Sequence, residues 1–71
     1  MPRKLRQLRA DLRRAGFRNR GGKGSHTNWE HPLLPYPVGL SGQDGDDAQP
    51  YQERDVRAAL RDLREREQRR P

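Results

Sequence analysis

The chain has 71 residues, 28% of them hydrophobic and 37% charged, and it contains no cysteine. That length holds one domain (1–71), near the size at which a single core supplies only about 3 to 5 kcal/mol; without cysteine, a disulfide framework and a Cys-based zinc site are excluded. Sixteen Lys and Arg against ten Asp and Glu leave a net charge of +6, which points to a polyanionic partner.

The charge is uneven. Residues 1–30 carry nine basic side chains against Asp11 and Glu30, a balance of +7, which leaves −1 for the remainder. Phosphate contacts are therefore expected from the first helix and the loop after it. So low an apolar content leans towards disorder, and any fold must gather its few large apolar side chains into one layer.

From Arg3 to Ala15, Leu5, Leu8 and Leu12 recur at helical spacing, with Lys and Arg filling other positions and expected to be mostly solvent-facing. Gly16 suits a left-handed C-terminal cap, and Phe17 beyond it can fold back onto the leucine stripe. Residues 17–20 predict a short strand. Three glycines in Gly21-Gly22-Lys23-Gly24 predict a turn or phosphate-approach loop, and Ser25 to His31 a second strand. Pro32, Pro35 and Pro37 restrict the next segment to a short edge strand around Tyr36 to Leu40.

Ser41 to Gln49 reads as a polar loop, with Asp44, Asp46 and Asp47 as a solubilising turn or a charge-matched contact with a partner protein; their spacing lacks the pattern of a calcium loop. After Pro50, Val56, Ala59, Leu60 and Leu63 mark a second amphipathic helix, supported by Glu53/Arg57, Asp62/Arg66 and Glu65/Arg69 pairs at i,i+4. The tail from about residue 67, ending Arg69-Arg70-Pro71, is expected to fray. Both helices need a surface for their apolar stripes, and one face of an antiparallel sheet supplies it. The expected fold is a small two-layer α+β arrangement, α-β-β-β-α, with the opposite sheet face free for a ligand.

Alternation along the second strand puts Ser25, Thr27, Trp29 and His31 on one face and His26, Asn28 and Glu30 on the other. Trp29, the largest apolar group, should meet the helices, leaving His26 and Asn28 on the open face beside the basic loop. An imidazole, with an ordinary pKa of about 6.5, can move a proton near neutral pH. In RNA the matching reaction is attack of the 2′-hydroxyl on the adjacent phosphorus, and Lys23 with the amides of Gly24 and Ser25 would stabilise phosphoryl charge. A lone histidine is equally well a surface residue without a role. His31, before Pro32, is read as structural, and a metal site is disfavoured. The glycine loop lacks the pattern of a nucleotide-binding loop and is not followed by a helix.

The leucine helix ending Ala15-Gly16-Phe17, the segment Gly22-Lys23-Gly24-Ser25-His26, His31-Pro32 and the closing amphipathic helix together resemble the HicA family of toxins, over roughly residues 4 to 64. The resemblance implies a double-stranded-RNA-binding-domain-like fold, messenger-RNA cleavage with His26 as the catalytic residue, no metal or organic cofactor, and restraint by a HicB-like antitoxin covering the site. Two segments depart from the usual family pattern: the proline-rich approach to the third strand, and the Asp-rich loop from Gln43 to Asp47, which raises the prospect that this loop contacts the antitoxin.

Taken together, these readings expect an mRNA-cleaving, metal-independent endoribonuclease with His26 as general acid/base and Lys23, Gly24, Ser25, Arg20, Arg18, Lys4 and Arg13 binding RNA. A non-catalytic RNA-binding module is the alternative, and a chain whose core is completed by a partner is a third possibility. No stretch is apolar enough to span a bilayer and the start lacks an apolar run of signal length, so a cytoplasmic location is expected.

Overall fold

The computed structural model describes residues 2–69. Its order is α1 (Leu5–Arg14), β1 (Arg18–Asn19), β2 (Thr27–Glu30), β3 (Val38–Leu40) and α2 (Pro50–Gln68). The strands form one antiparallel sheet with β2 in the middle, so β3, which follows Pro35 and Pro37, is an edge strand as the sequence predicts. The α-β-β-β-α order and the two-layer α+β class are those the sequence predicts.

Each boundary has a local cause. Gly16, at φ +98°, ends α1; its amide donates to the Arg13 carbonyl and that of Phe17 to the Leu12 carbonyl, the paired bonds of a Schellman cap. Phe17 is buried against the α1 stripe as predicted. β2 begins two residues later than the predicted Ser25, because the chain first closes a tight turn in which the His26 amide donates to the Lys23 carbonyl. In α2, Pro50 occupies the first turn, where its missing N–H leaves nothing unsatisfied.

The covered sheet face carries Thr27, Trp29, Val38 and Leu40; the last three are buried with Leu5, Leu8 and Leu12 of α1 and Val56, Ala59 and Leu63 of α2. Leu60 is half-buried at the rim. Of the three predicted pairs on α2, Asp62–Arg66 closes at 2.9 Å, while neither Glu53–Arg57 nor Glu65–Arg69 is within ion-pair distance among the described residues. The helix reaches Gln68, past the expected onset of fraying, while Arg70 and Pro71 of the tail lie outside the described residues.

Two expectations need correction. Arg9 is not on the solvent side of α1; it is buried, with a relative exposure of 9%. Its guanidinium donates to Thr27 Oγ1 (3.3 Å), the carbonyls of Ser25 (3.0 Å) and Gly42 (2.8 Å), and Asp44 Oδ1 (2.6 Å). The Asp-rich loop, in turn, is built into the fold. The carbonyls of Asp46 and Asp44 accept from the amides of Leu5 and Arg6, satisfying the open N-terminus of α1, and Asp47 holds Lys4 at 2.6 Å.

Candidate functional site

The site is built on the open sheet face. Asn28 lies opposite Gly39 and Thr27 opposite Leu40, so continuing the ladder by one residue sets His26 opposite Ser41. Parity then gives His26, Asn28, Gly39 and Ser41 one face, away from Trp29. His26 Nδ1 is 2.6 Å from Ser41 Oγ, and Nε2 is 3.3 Å from Asn28 Oδ1. The ring leans over Gly39, where an added Cβ would lie 3.5 Å from its Cε1.

The orientation of the imidazole follows from the groups around it. Asn28 Nδ2 donates to the Gly21 carbonyl at 3.1 Å, which can only accept, so the amide must turn Oδ1 towards His26. That oxygen in turn requires a proton on Nε2. In the neutral ring, therefore, Nδ1 carries the lone pair and accepts from the Ser41 hydroxyl; in the imidazolium, Nδ1–H donates to Ser41 Oγ. A hydroxyl can serve both states, so both ring nitrogens stay satisfied as the proton comes and goes.

The loop before β2 is shaped to the histidine. At Gly22 a Cβ would come within 2.5 Å of the His26 carbonyl oxygen, so only glycine allows the two backbones to approach. Asn19 Oδ1 accepts from the Gly21 amide at 2.8 Å, and the Arg20 amide donates to the Asn28 carbonyl at 2.7 Å, anchoring both ends of the loop to the sheet. The amides of Gly24 and Ser25 make no hydrogen bond among the described residues, leaving them free to donate to an anion.

Not all of the expected RNA-binding residues meet here. Arg18 and Arg20 lie on β1 and its extension, exposed beside β2; Arg20 faces Glu30 at 3.7 Å in a water-exposed pair. Lys23 is exposed at the loop tip with no ion-pair partner among the described residues. Arg13 is on the covered side: its guanidinium sits 5.4 Å over the Trp29 ring and lines, with Asn19, Gly24, Ser25 and Gln43, a cleft of about 310 Å³ behind the loop. Lys4 is not brought to the site, since it stands at the far end of α1 with its ammonium on Asp47.

His31 is structural in its contacts. Its Nδ1 accepts from the Leu33 amide at 3.0 Å, and its ring meets Phe17 edge-on at 5.2 Å, on the covered side of the sheet. Among the described residues, no group of three His, Cys, Asp or Glu is arranged to hold a metal ion. Ser41 is the site residue that sequence reasoning missed; its signal was parity with Gly39, two residues earlier on an edge strand.

No protein-family model, curated protein sequence or solved structure matches this chain.

Proposed function

We propose that the chain is a toxin-type, metal-independent endoribonuclease that cleaves messenger RNA in the cytoplasm, with His26 as general acid/base, and that a HicB-like antitoxin restrains it by covering the open face. The observation that carries this reading is His26 itself, exposed between Ser41 and Asn28 and flanked by Lys23, Arg18 and Arg20. A strand of RNA laid across this face would meet the cationic groups and the free amides of Gly24 and Ser25 as phosphate ligands, and the imidazole as the group able to move a proton. The helices packed behind one face of a three-stranded sheet suit the double-stranded-RNA-binding-domain-like fold that the HicA resemblance implies. Among the described residues no helix is long and apolar enough to cross a membrane.

Expression of the wild type should arrest growth and degrade messages. His26→Ala should do neither while still binding RNA, with cleavage by the purified protein in EDTA falling roughly 100- to 10,000-fold. Equal cleavage by both proteins would remove His26 from the reaction.

The second reading, a non-catalytic RNA-binding module, is favoured by one observation: among the described residues the His26 ring is hydrogen-bonded to neutral groups alone. Labelled RNA that stays intact at saturating wild-type protein would support it.

A further inference from the structure

A phosphodiester cleavage that uses one histidine needs a route for the proton on the way in and on the way out. The imidazole here is not free to present either nitrogen. Asn28, oriented by the Gly21 carbonyl, holds a proton on Nε2, so the nitrogen that gains and loses the proton is Nδ1. Nδ1 does not face open solvent: Ser41 Oγ stands 2.6 Å from it, opposite His26 across the β2–β3 ladder and exposed on its outer side.

Resting on the ribonuclease reading, we propose that Ser41 is a catalytic residue whose hydroxyl passes the proton between the RNA 2′-hydroxyl and His26 Nδ1. As the 2′-oxygen attacks the adjacent phosphorus, its proton moves to Ser41 Oγ while the Ser41 proton moves to Nδ1. The P–O5′ bond breaks with its electron pair on the 5′-oxygen. The imidazolium then returns a proton by the same hydroxyl to that oxygen. Ser41 and His26 end as they began, and the products are a 2′,3′-cyclic phosphate and a 5′-hydroxyl. No metal, oxidant or water enters the step.

The geometry around Ser41 allows a clean test. Its backbone carbonyl, not its side chain, ties the loop to α2 by accepting from Gln52 Nε2 at 3.0 Å, so removal of the hydroxyl leaves that tie in place. Cleavage of labelled RNA in EDTA would be compared for the wild type, Ser41→Ala and Ser41→Thr, together with the ring ¹⁵N shifts of His26 in each protein without RNA. Ser41→Ala should slow cleavage roughly 10- to 100-fold at unchanged RNA affinity. Ser41→Thr, which restores a hydroxyl, should recover most of the rate. The neutral ring should be protonated at Nε2 in all three proteins, because Asn28 dictates it, so that the loss in Ser41→Ala cannot be put down to a turned imidazole.

An RNA with a single 2′-deoxynucleotide at the cleaved position should resist the wild type. Its cleavage, or a covalent RNA–serine adduct, would overturn the relay in favour of Ser41 as the nucleophile. Wild-type cleavage with an unaffected Ser41→Ala rate, or a neutral ring protonated at Nδ1, would overturn the relay and leave the ribonuclease reading standing. An intact RNA with the wild type would overturn both.

Discussion

On the covered face of the sheet, Arg9 reaches across to Thr27, the carbonyls of Ser25 and Gly42, and Asp44, while Thr27 Oγ1 also donates to the Leu40 carbonyl and accepts from Trp29 Nε1. On the open face, Arg18, Arg20 and Lys23 stand in solvent, and the His26 ring is hydrogen-bonded to Ser41 and Asn28 beside Gly22 and Gly39. Both faces draw on the same basic first half of the chain. One set of cations closes the fold, and the other stands in solvent. The count of basic residues alone therefore overstates the free cations: Arg9, Lys4 and Arg3 are paired with Asp44, Asp47 and Asp11.

The largest expected effect that separates the two faces is on stability. Arg9→Met keeps the apolar stem but leaves the carbonyls of Ser25 and Gly42 without their donor, at a cost of about 2 to 4 kcal/mol. For a domain of this size that approaches its whole stability, about 3 to 5 kcal/mol. His26→Ala, on the exposed face, should change stability by less than about 0.5 kcal/mol. Urea unfolding of the two variants checks the contrast; equal losses would mean that the faces are not divided in this way.

Two glycines of one loop sharpen the open-face half. Gly22→Ala drives a Cβ against the His26 carbonyl, so the loop must shift and carry the imidazole with it. A displacement on the order of 1 Å at a catalytic group costs roughly 100-fold in rate. At Gly24, φ is +59° and the space for a Cβ is open, so Gly24→Ala meets only backbone strain of roughly 1 to 2 kcal/mol and keeps the cleavage rate. Similar cleavage rates for the two variants would disconnect Gly22 from His26.

Much of this division was legible in advance. The alternation around Trp29 places His26 outward, and Gly16 and Pro50 mark helix ends by conformational preferences that need no partner. Arg9 was harder, although a signal existed: it lies four residues after Leu5 and three before Leu12, inside the apolar stripe. Its acceptors come from residues 16 to 35 positions away, and no helical pattern specifies them. The same distance hides the capping of α1 by Asp44 and Asp46, which makes residues that look like a solubilising turn part of the frame. Ser41 escaped notice because a hydroxyl past the end of an edge strand becomes a partner for His26 only once the β2–β3 register is known.

The smallest expected effect lies away from both faces, where Tyr36 Oη donates to Asp62 Oδ2 at 2.7 Å and Arg66 closes the same carboxylate from the next turn. These two donors, the tyrosine first, hold Asp62 below the usual carboxylate range. The bond to Asp62, more than burial, pushes the Tyr36 hydroxyl above its ordinary value. The signs follow by linkage. A carboxylate with a lowered folded pKa contributes stability above its unfolded pKa and loses it as pH falls through the folded one. A tyrosine with a raised folded pKa contributes below about 10 and loses it as pH rises further. Tyr36→Phe should thus lower the melting temperature slightly at neutral pH, by less than Gly24→Ala does, and the difference should shrink towards both strong acid and strong alkali. RNA cleavage should not change, because the bond joins the β3 approach to α2 and touches neither His26 nor the loop that carries it. A pH-independent difference in melting temperature would mean that the ring's packing, and not its hydroxyl, matters there.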